Sequence, residues 1–172
     1  MKRESSILMD SLPIKFETMQ KKIFLYAGVL FLGLTVFAFT NKEHHDSDTE
    51  KAVKELILKS YVNGAFNGLD PEAMQKGFHP DFAIFSAKGE NIGKYPIASW
   101  VAGTKKSKND PKFDPAKNIW THNFVSVDVT GGSAAVKIEL SHDGKHVYTD
   151  YLSLLEFDSG WRIVAKVYHE HK

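Results

Sequence analysis

The sequence predicts an α+β domain, helices first and an antiparallel meander last, behind one apolar N-terminal segment. Three observations carry this. Apolar residues recur at helical spacing from Val53 to Ala65, which makes one core-facing stripe. After residue 117, alternating runs are separated by Gly131-Gly132, Asp143-Gly144 and Ser159-Gly160, and Gly-Gly or Asp-Gly between such runs signals a hairpin. Residues 23–39 (IFLYAGVLFLGLTVFAF) hold no charge and show no amphipathic period, which separates them from everything downstream.

Residues 1–22 form a basic leader with Lys2, Arg3, Lys15, Lys21 and Lys22. The run 23–39 has the length of a short membrane-spanning helix or of a long signal-peptide core. The basic residues ahead of it keep the N-terminus in the cytoplasm, so the chain beyond the run is expected to be exported across the cytoplasmic membrane. A cleaved signal with a secreted or periplasmic product and a retained single-pass anchor both fit. Met19 offers a second start, from which MQKK and the run read as an ordinary secretory signal. The chain has no cysteine, so disulfides, thiolate-held metals and a lipid-modified cysteine are excluded.

Residues 40–48 read as a polar tether and 49–172 as the domain, enough chain for one core. Of 22 basic and 21 acidic residues, five and three precede residue 42, which leaves the remainder at −1. That balance excludes a nucleic-acid surface, and Lys105, Lys106 and Lys108 read as a solvated loop.

Ser47-Asp48-Thr49-Glu50 fits a capping box that opens the first helix. Val53, Leu56, Ile57, Tyr61 and Ala65 form its inner stripe, and Gly64 on that stripe predicts a closely packed neighbour. Asp70-Pro71 supplies a cap and a first-turn proline for a second helix to Lys76. The segment from Gly77 to Asp81 should break it, because Pro80 removes a donor and extends the residue before it. A strand over 82–86, a turn at Lys88-Gly89-Glu90 and a strand over 91–94 come next. Pro96 starts a third helix carrying Ile97, Trp100 and Val101, and 104–116 reads as a loop. Strands over 118–129, 134–141, 146–157 and 161–169 complete the domain.

In this order the chain resembles the nuclear transport factor 2-like fold, and within it the bacterial group called Putative lumazine-binding. The residues carrying the resemblance are Tyr61 and Gly64, then Phe78-His79-Pro80-Asp81. Later come Asp150-Tyr151-Leu152-x-Leu154 and Trp161-Arg162-Ile163-Val164-x-Lys166. The resemblance covers 49–172 and implies a cone, with three N-terminal helices packed on a curved, mainly antiparallel sheet. It also implies a small-molecule pocket and a homodimer. Enzymes of this fold such as ketosteroid isomerase hold an acid or base inside the apolar cone beside a hydrogen-bond donor. The local motifs differ here, so the isomerase's catalytic positions do not carry over.

Alternation places Tyr148, Asp150, Leu152 and Leu154 on one face of the fifth strand. In the last strand it sets Trp161, Ile163, Ala165 and Val167 against Arg162, Val164, Lys166 and Tyr168. In the third it groups His122, Phe124, Ser126 and Asp128. The expected ligand-binding set is Tyr61, His79, Trp100, His122, Asp150 and Tyr168, with Asp150 and His79 as general acid/base groups if the domain is an enzyme. Plainer roles stand beside these. His79 reads as a turn histidine bonding backbone, Asp150 as the partner of a cross-strand Lys or Arg, and Trp100 as core. His142 and His146 flank a hairpin turn and read as solvated. No phosphate loop, nucleophile elbow or metal-ligand spacing is present, so no metal or cofactor is expected. The first functional expectation is a non-catalytic domain that binds a small apolar or aromatic molecule or dimerises. The alternative is an isomerase, cyclase or dehydratase working by proton transfer.

Overall fold

The computed structural model describes residues 47–172. The leader, the apolar run and nearly all of the tether lie outside the described residues. Among the described residues, no helix is long and apolar enough to cross a membrane.

Residues 47–67 are helical (α1), so Ser47 already lies within the helix instead of capping it, a shift of the size helix ends commonly show. From Ile57–Asn67 the winding is that of a π-helix, whose wider turn buries Ser60, Tyr61 and Val62 in succession along with Gly64 and Ala65. The helix closes with the Gly68 N–H donating to the Asn63 carbonyl at 2.8 Å and the Asp70 N–H to that of Gly64 at 2.7 Å. In α2 (Pro71–Gly77), Asp70 Oδ1 accepts from the Glu72 and Ala73 N–H groups at 3.0 and 3.1 Å, the cap the Asp-Pro pair announces.

Two glycines set how closely α1 and α2 approach. A Cβ on Gly64 would stand 3.2 Å from Met74 Cγ, so the neighbour expected there is α2. A Cβ on Gly77 would stand 2.1 Å from Ser60 Oγ and 2.2 Å from Ser60 Cβ. Gly77 is therefore a contact point first and a helix end second.

The helix breaks at Gly77 as expected, but β1 (Phe78–Lys88) starts at once, ahead of the strand expected from residue 82. Its ladder with the last strand is irregular between Phe78 and Ala83, which leaves room for Pro80 without a ladder donor. After β2 (Asn91–Pro96), α3 (Ile97–Lys108) runs past Thr104, where a loop was expected. Thr104 is buried, and Lys105, Lys106 and Lys108 occupy the last turn, where cations meet the negative end of the helix dipole. The strands β3 (Trp120–Thr130), β4 (Ser133–His142), β5 (Lys145–Phe157) and β6 (Gly160–Glu170) form the meander. The sheet order is β2-β1-β6-β5-β4-β3, antiparallel throughout except for β1 against β6.

Val53, Ile57, Tyr61 and Met74 of the helices pack on Val136, Ile138, Leu140, Leu152, Leu154 and Ile163 of the sheet. That identifies the Tyr148–Asp150–Leu152–Leu154 face as the inner one. Each ladder of the meander loses one residue of register. Val125 is left over opposite β4, Val147 opposite the end of β4, and Val164 opposite β5. Such bulges bend a strand and increase its twist, which curves the sheet around α1.

The bulges correct two expectations of alternation. In β3, His122 and Phe124 pair with the inner residues Leu140 and Ile138, whereas Ser126 and Asp128 fall on the outer side and Val127 and Val129 turn inward. In β6, Leu154 pairs with Ile163 but Leu152 pairs with Lys166 and Asp150 with Tyr168. Ile163, Lys166 and Tyr168 therefore share the inner face, because Val164 changes the parity between them.

Candidate functional site

The parity change brings an ammonium into the cone. Lys166 is 4% exposed and Asp150 0%, and their charged atoms, Nζ and Oδ1, are 2.7 Å apart. The Lys166 ammonium also donates to the Tyr61 hydroxyl at 2.7 Å, and that hydroxyl donates to Asp150 Oδ2 at 2.5 Å. The three side chains close a triangle contributed by α1, β5 and β6. Oδ1 faces the ammonium and forms the ion pair with it, while Oδ2 accepts from the Tyr61 hydroxyl.

Five rings surround Lys166 Nζ. Their centroids lie at 4.9 Å (Tyr168), 5.0 Å (Tyr61), 5.6 Å (Trp100), 5.7 Å (Tyr148) and 5.8 Å (Phe66). A cation over ring faces is attracted by their quadrupoles, more strongly when water is excluded. The rings hold one another edge-on, Tyr61 against Phe66 at 5.2 Å and against Trp100 at 6.0 Å. Polar anchors fix the wall. The Asn67 amide accepts from the Trp120 N–H at 2.6 Å and donates to its carbonyl at 3.2 Å, which ties the end of α1 to the start of β3. Trp120 then stacks on Tyr148 at 5.9 Å and on His142 at 4.6 Å. His142 is thus part of this wall, not a solvated turn residue. Phe66, Trp100 and Tyr148 are half-buried and Tyr168 is exposed, so the wall reaches solvent on one side.

The environment acts on the titrations in opposite ways. Burial pushes the Lys166 ammonium below its ordinary range, and the Asp150 charge works against that shift. Burial pushes the Tyr61 phenol well above its ordinary range, and the Asp150 charge and hydrogen bond add to it. Tyr61 therefore stays protonated and acts as a hydrogen-bond donor.

Four of the six residues of the expected binding set meet here: Tyr61, Trp100, Asp150 and Tyr168. The other two do not. His79 Nδ1 accepts from the Asp81 N–H at 3.1 Å and its ring stacks on Phe157 at 5.0 Å, the turn role that was the plainer reading. His122 is exposed, with its ring against Phe124 at 5.5 Å. Asp150 does pair with a basic side chain of the neighbouring strand. Sequence reasoning missed Lys166 as a site residue because unbroken alternation puts it opposite Ile163. The available signal was a lone lysine within Ile163-Val164-Ala165-Lys166-Val167-Tyr168. Among the described residues, no group of three or more His, Asp or Glu side chains is placed to hold a metal ion.

Three helices on a curved, bulged six-stranded sheet make this a nuclear transport factor 2-like fold. Within that class, the chain belongs to the family described as Putative lumazine-binding, which it matches over residues 48–169. It is similar to a nuclear transport factor 2-like protein of unknown function from Silicibacter pomeroyi. That structure is 23% identical with a TM-score of 0.58, covering 73% of this chain and 98% of the other. A protein of the same description from Shewanella baltica is 25% identical with a TM-score of 0.56, over 76% and 95% of the two chains. The chain is also 25% identical over 112 residues to a protein named aldolase FrzH from a Cladobotryum species, covering 64% of this chain and 83% of the aldolase.

Proposed function

We propose that the domain binds a small aromatic or alicyclic molecule inside the cone, and that the Lys166–Asp150–Tyr61 triangle grips a carbonyl or hydroxyl oxygen on it. The observation that carries this is a charged pair buried under five rings in an otherwise apolar interior. Removing two charges from water costs several kcal/mol that a pair of leucines would not. A ligand contact is one return for that cost, and concave apolar sites with a few convergent polar groups are where small molecules bind. The family's description supports a small-ligand role. Native mass spectrometry of the chain purified from its own host tests it. A retained small molecule that disappears in Tyr61→Phe is expected, and a bare protein whose tryptophan fluorescence ignores every aromatic carbonyl compound offered would overturn it.

A second reading, catalysis by proton transfer as in an isomerase, cyclase or dehydratase, has its own support. Tyr61 sits between a carboxylate that accepts its proton and an ammonium that donates to it, the arrangement of a positioned general acid. The similarity to a protein named an aldolase points the same way. We also propose that the domain works outside the cytoplasmic membrane, by way of residues 23–39, as a homodimer. The outer sheet face carries the exposed cross-strand neighbours Tyr151 and Val167 with Leu155. A reporter enzyme active only after export, fused behind residue 46, and the mass of the native protein decide those two points.

A further inference from the structure

We propose that Lys166 Nζ is a nucleophile, condensing with the carbonyl carbon of an aromatic or alicyclic aldehyde or ketone in the cage to form a Schiff base. The proposal rests on the ligand-binding reading above and names the chemical class of the ligand.

Geometry supplies each part of the step. Nζ stands 2.7 Å from Asp150 Oδ1, close enough for that carboxylate oxygen to take the ammonium proton and release a free amine. The amine lone pair attacks the carbonyl carbon, the C–N bond forms, and the carbonyl π electrons move to oxygen. That oxygen is protonated by the Tyr61 hydroxyl, itself 2.7 Å from Nζ, and Tyr61 is reprotonated through Asp150 Oδ2 at 2.5 Å. The second nitrogen proton passes through Asp150 and Tyr61 to the carbinolamine hydroxyl, which leaves as water as the nitrogen lone pair closes the protonated C=N bond. The net change is one carbonyl and one ammonium to one protonated imine and one water, with no oxidant or reductant.

Three further features favour this over a merely structural ion pair. Burial pushes the ammonium towards the free amine, which is how desolvated lysines become nucleophiles near neutral pH. A structural cation in a ring cage needs only to be held, and arginine makes the better bidentate partner for a carboxylate. A protonated imine is still a cation, so the rings that attract the ammonium attract the adduct as well. Tyr168, whose ring centroid lies 4.9 Å from Nζ, is 41% exposed and marks the side of the cage that faces solvent.

The experiment treats the full chain at neutral pH with 2-naphthaldehyde and sodium cyanoborohydride, which reduces imines to stable amines, and maps the labelled peptides. Tryptophan fluorescence is followed in a parallel sample without reductant. Label on Lys166 at least roughly tenfold faster than on the average surface lysine is expected, with slower labelling in Asp150→Asn. Fluorescence quenching with Lys166 unlabelled would overturn the covalent step and leave the binding reading intact. Neither quenching nor label would overturn both. Mapping the wild-type chain decides this even if Lys166→Met fails to fold.

Discussion

The inner face of the sheet has two halves that meet between Leu152 and Asp150. Towards one end, Ala134, Val136, Leu152, Leu154 and Ile163 close on Val53 and Ile57 without a polar side chain among them. Towards the other, Asp150, Lys166, Tyr61, Tyr148 and Tyr168 replace the aliphatics with charge and rings. The same strands supply both halves, so strand geometry does not force the difference. The apolar half shows what is sufficient to hold this sheet on α1. The polar half carries a burial cost that folding alone does not require.

The largest effect should come from splitting the charged pair. Asp150→Ala or Lys166→Met strands the partner charge in a dry site, a change that costs about 3–5 kcal/mol. Replacing both at once, with Asp150→Leu and Lys166→Met, makes the second half resemble the first and should restore or exceed wild-type stability. Urea unfolding of the three variants checks this. A double variant as weak as either single one would mean that the triangle is a structural requirement, and the contrast between the halves would collapse.

The apolar half breaks at its glycines. Gly77→Ala drives a methyl into Ser60, and overpacking of this kind costs about 1–3 kcal/mol. Ser60→Ala leaves the Cβ contact in place and should not relieve it, while Ser60→Gly should. Gly64→Leu meets the flexible Met74 and belongs lower in that range, and Gly64→Ala should cost less still, since helix propensity favours alanine by up to about 1 kcal/mol. Thermal melts rank the five. Equal losses at the two positions would show that α2 shifts as a body instead of pressing on one point.

The halves also differ in how far the sequence disclosed them. Local chemistry was readable wherever one residue decides it. Asp70-Pro71 caps α2, Gly131-Gly132 and Asp143-Gly144 turn hairpins, and alternation within β5 puts Asp150 beside Leu152 and Leu154. Tyr61 followed from the helical stripe, although π winding did not. What failed were the places where tertiary curvature overrides a period. The bulge at Val164 inverts the second half of β6, so Lys166 was assigned to the wrong face and Asp150's partner went unnamed. The bulge at Val125 broke the expected grouping of His122 with Ser126 and Asp128 in the same way. A one-residue slip moves every later side chain across the sheet, and nothing in a valine announces one.

The smallest expected effect, and the one that sharpens the contrast most, is the alkaline stability profile. Burial lowers the Lys166 pKa in the folded chain, so between that value and the ordinary 10.5 the unfolded chain binds more protons. Stability then rises with pH through this window, because the cost of the buried ammonium is present below the folded pKa and relieved above it. Tyr61 has the opposite sign. Its pKa is raised well above 10.0, so beyond that pH the unfolded chain loses a proton that the folded chain keeps, and stability falls. Wild type should therefore gain stability relative to Lys166→Met on approaching pH 10 and lose it relative to Tyr61→Phe beyond. Urea midpoints measured from pH 7 to 11 give both differences, and the apolar-half variant Gly64→Ala should track wild type throughout. A flat wild-type-minus-Lys166→Met difference would mean that the ammonium keeps an ordinary affinity for its proton, and the polar half would lose the feature that makes its lysine reactive.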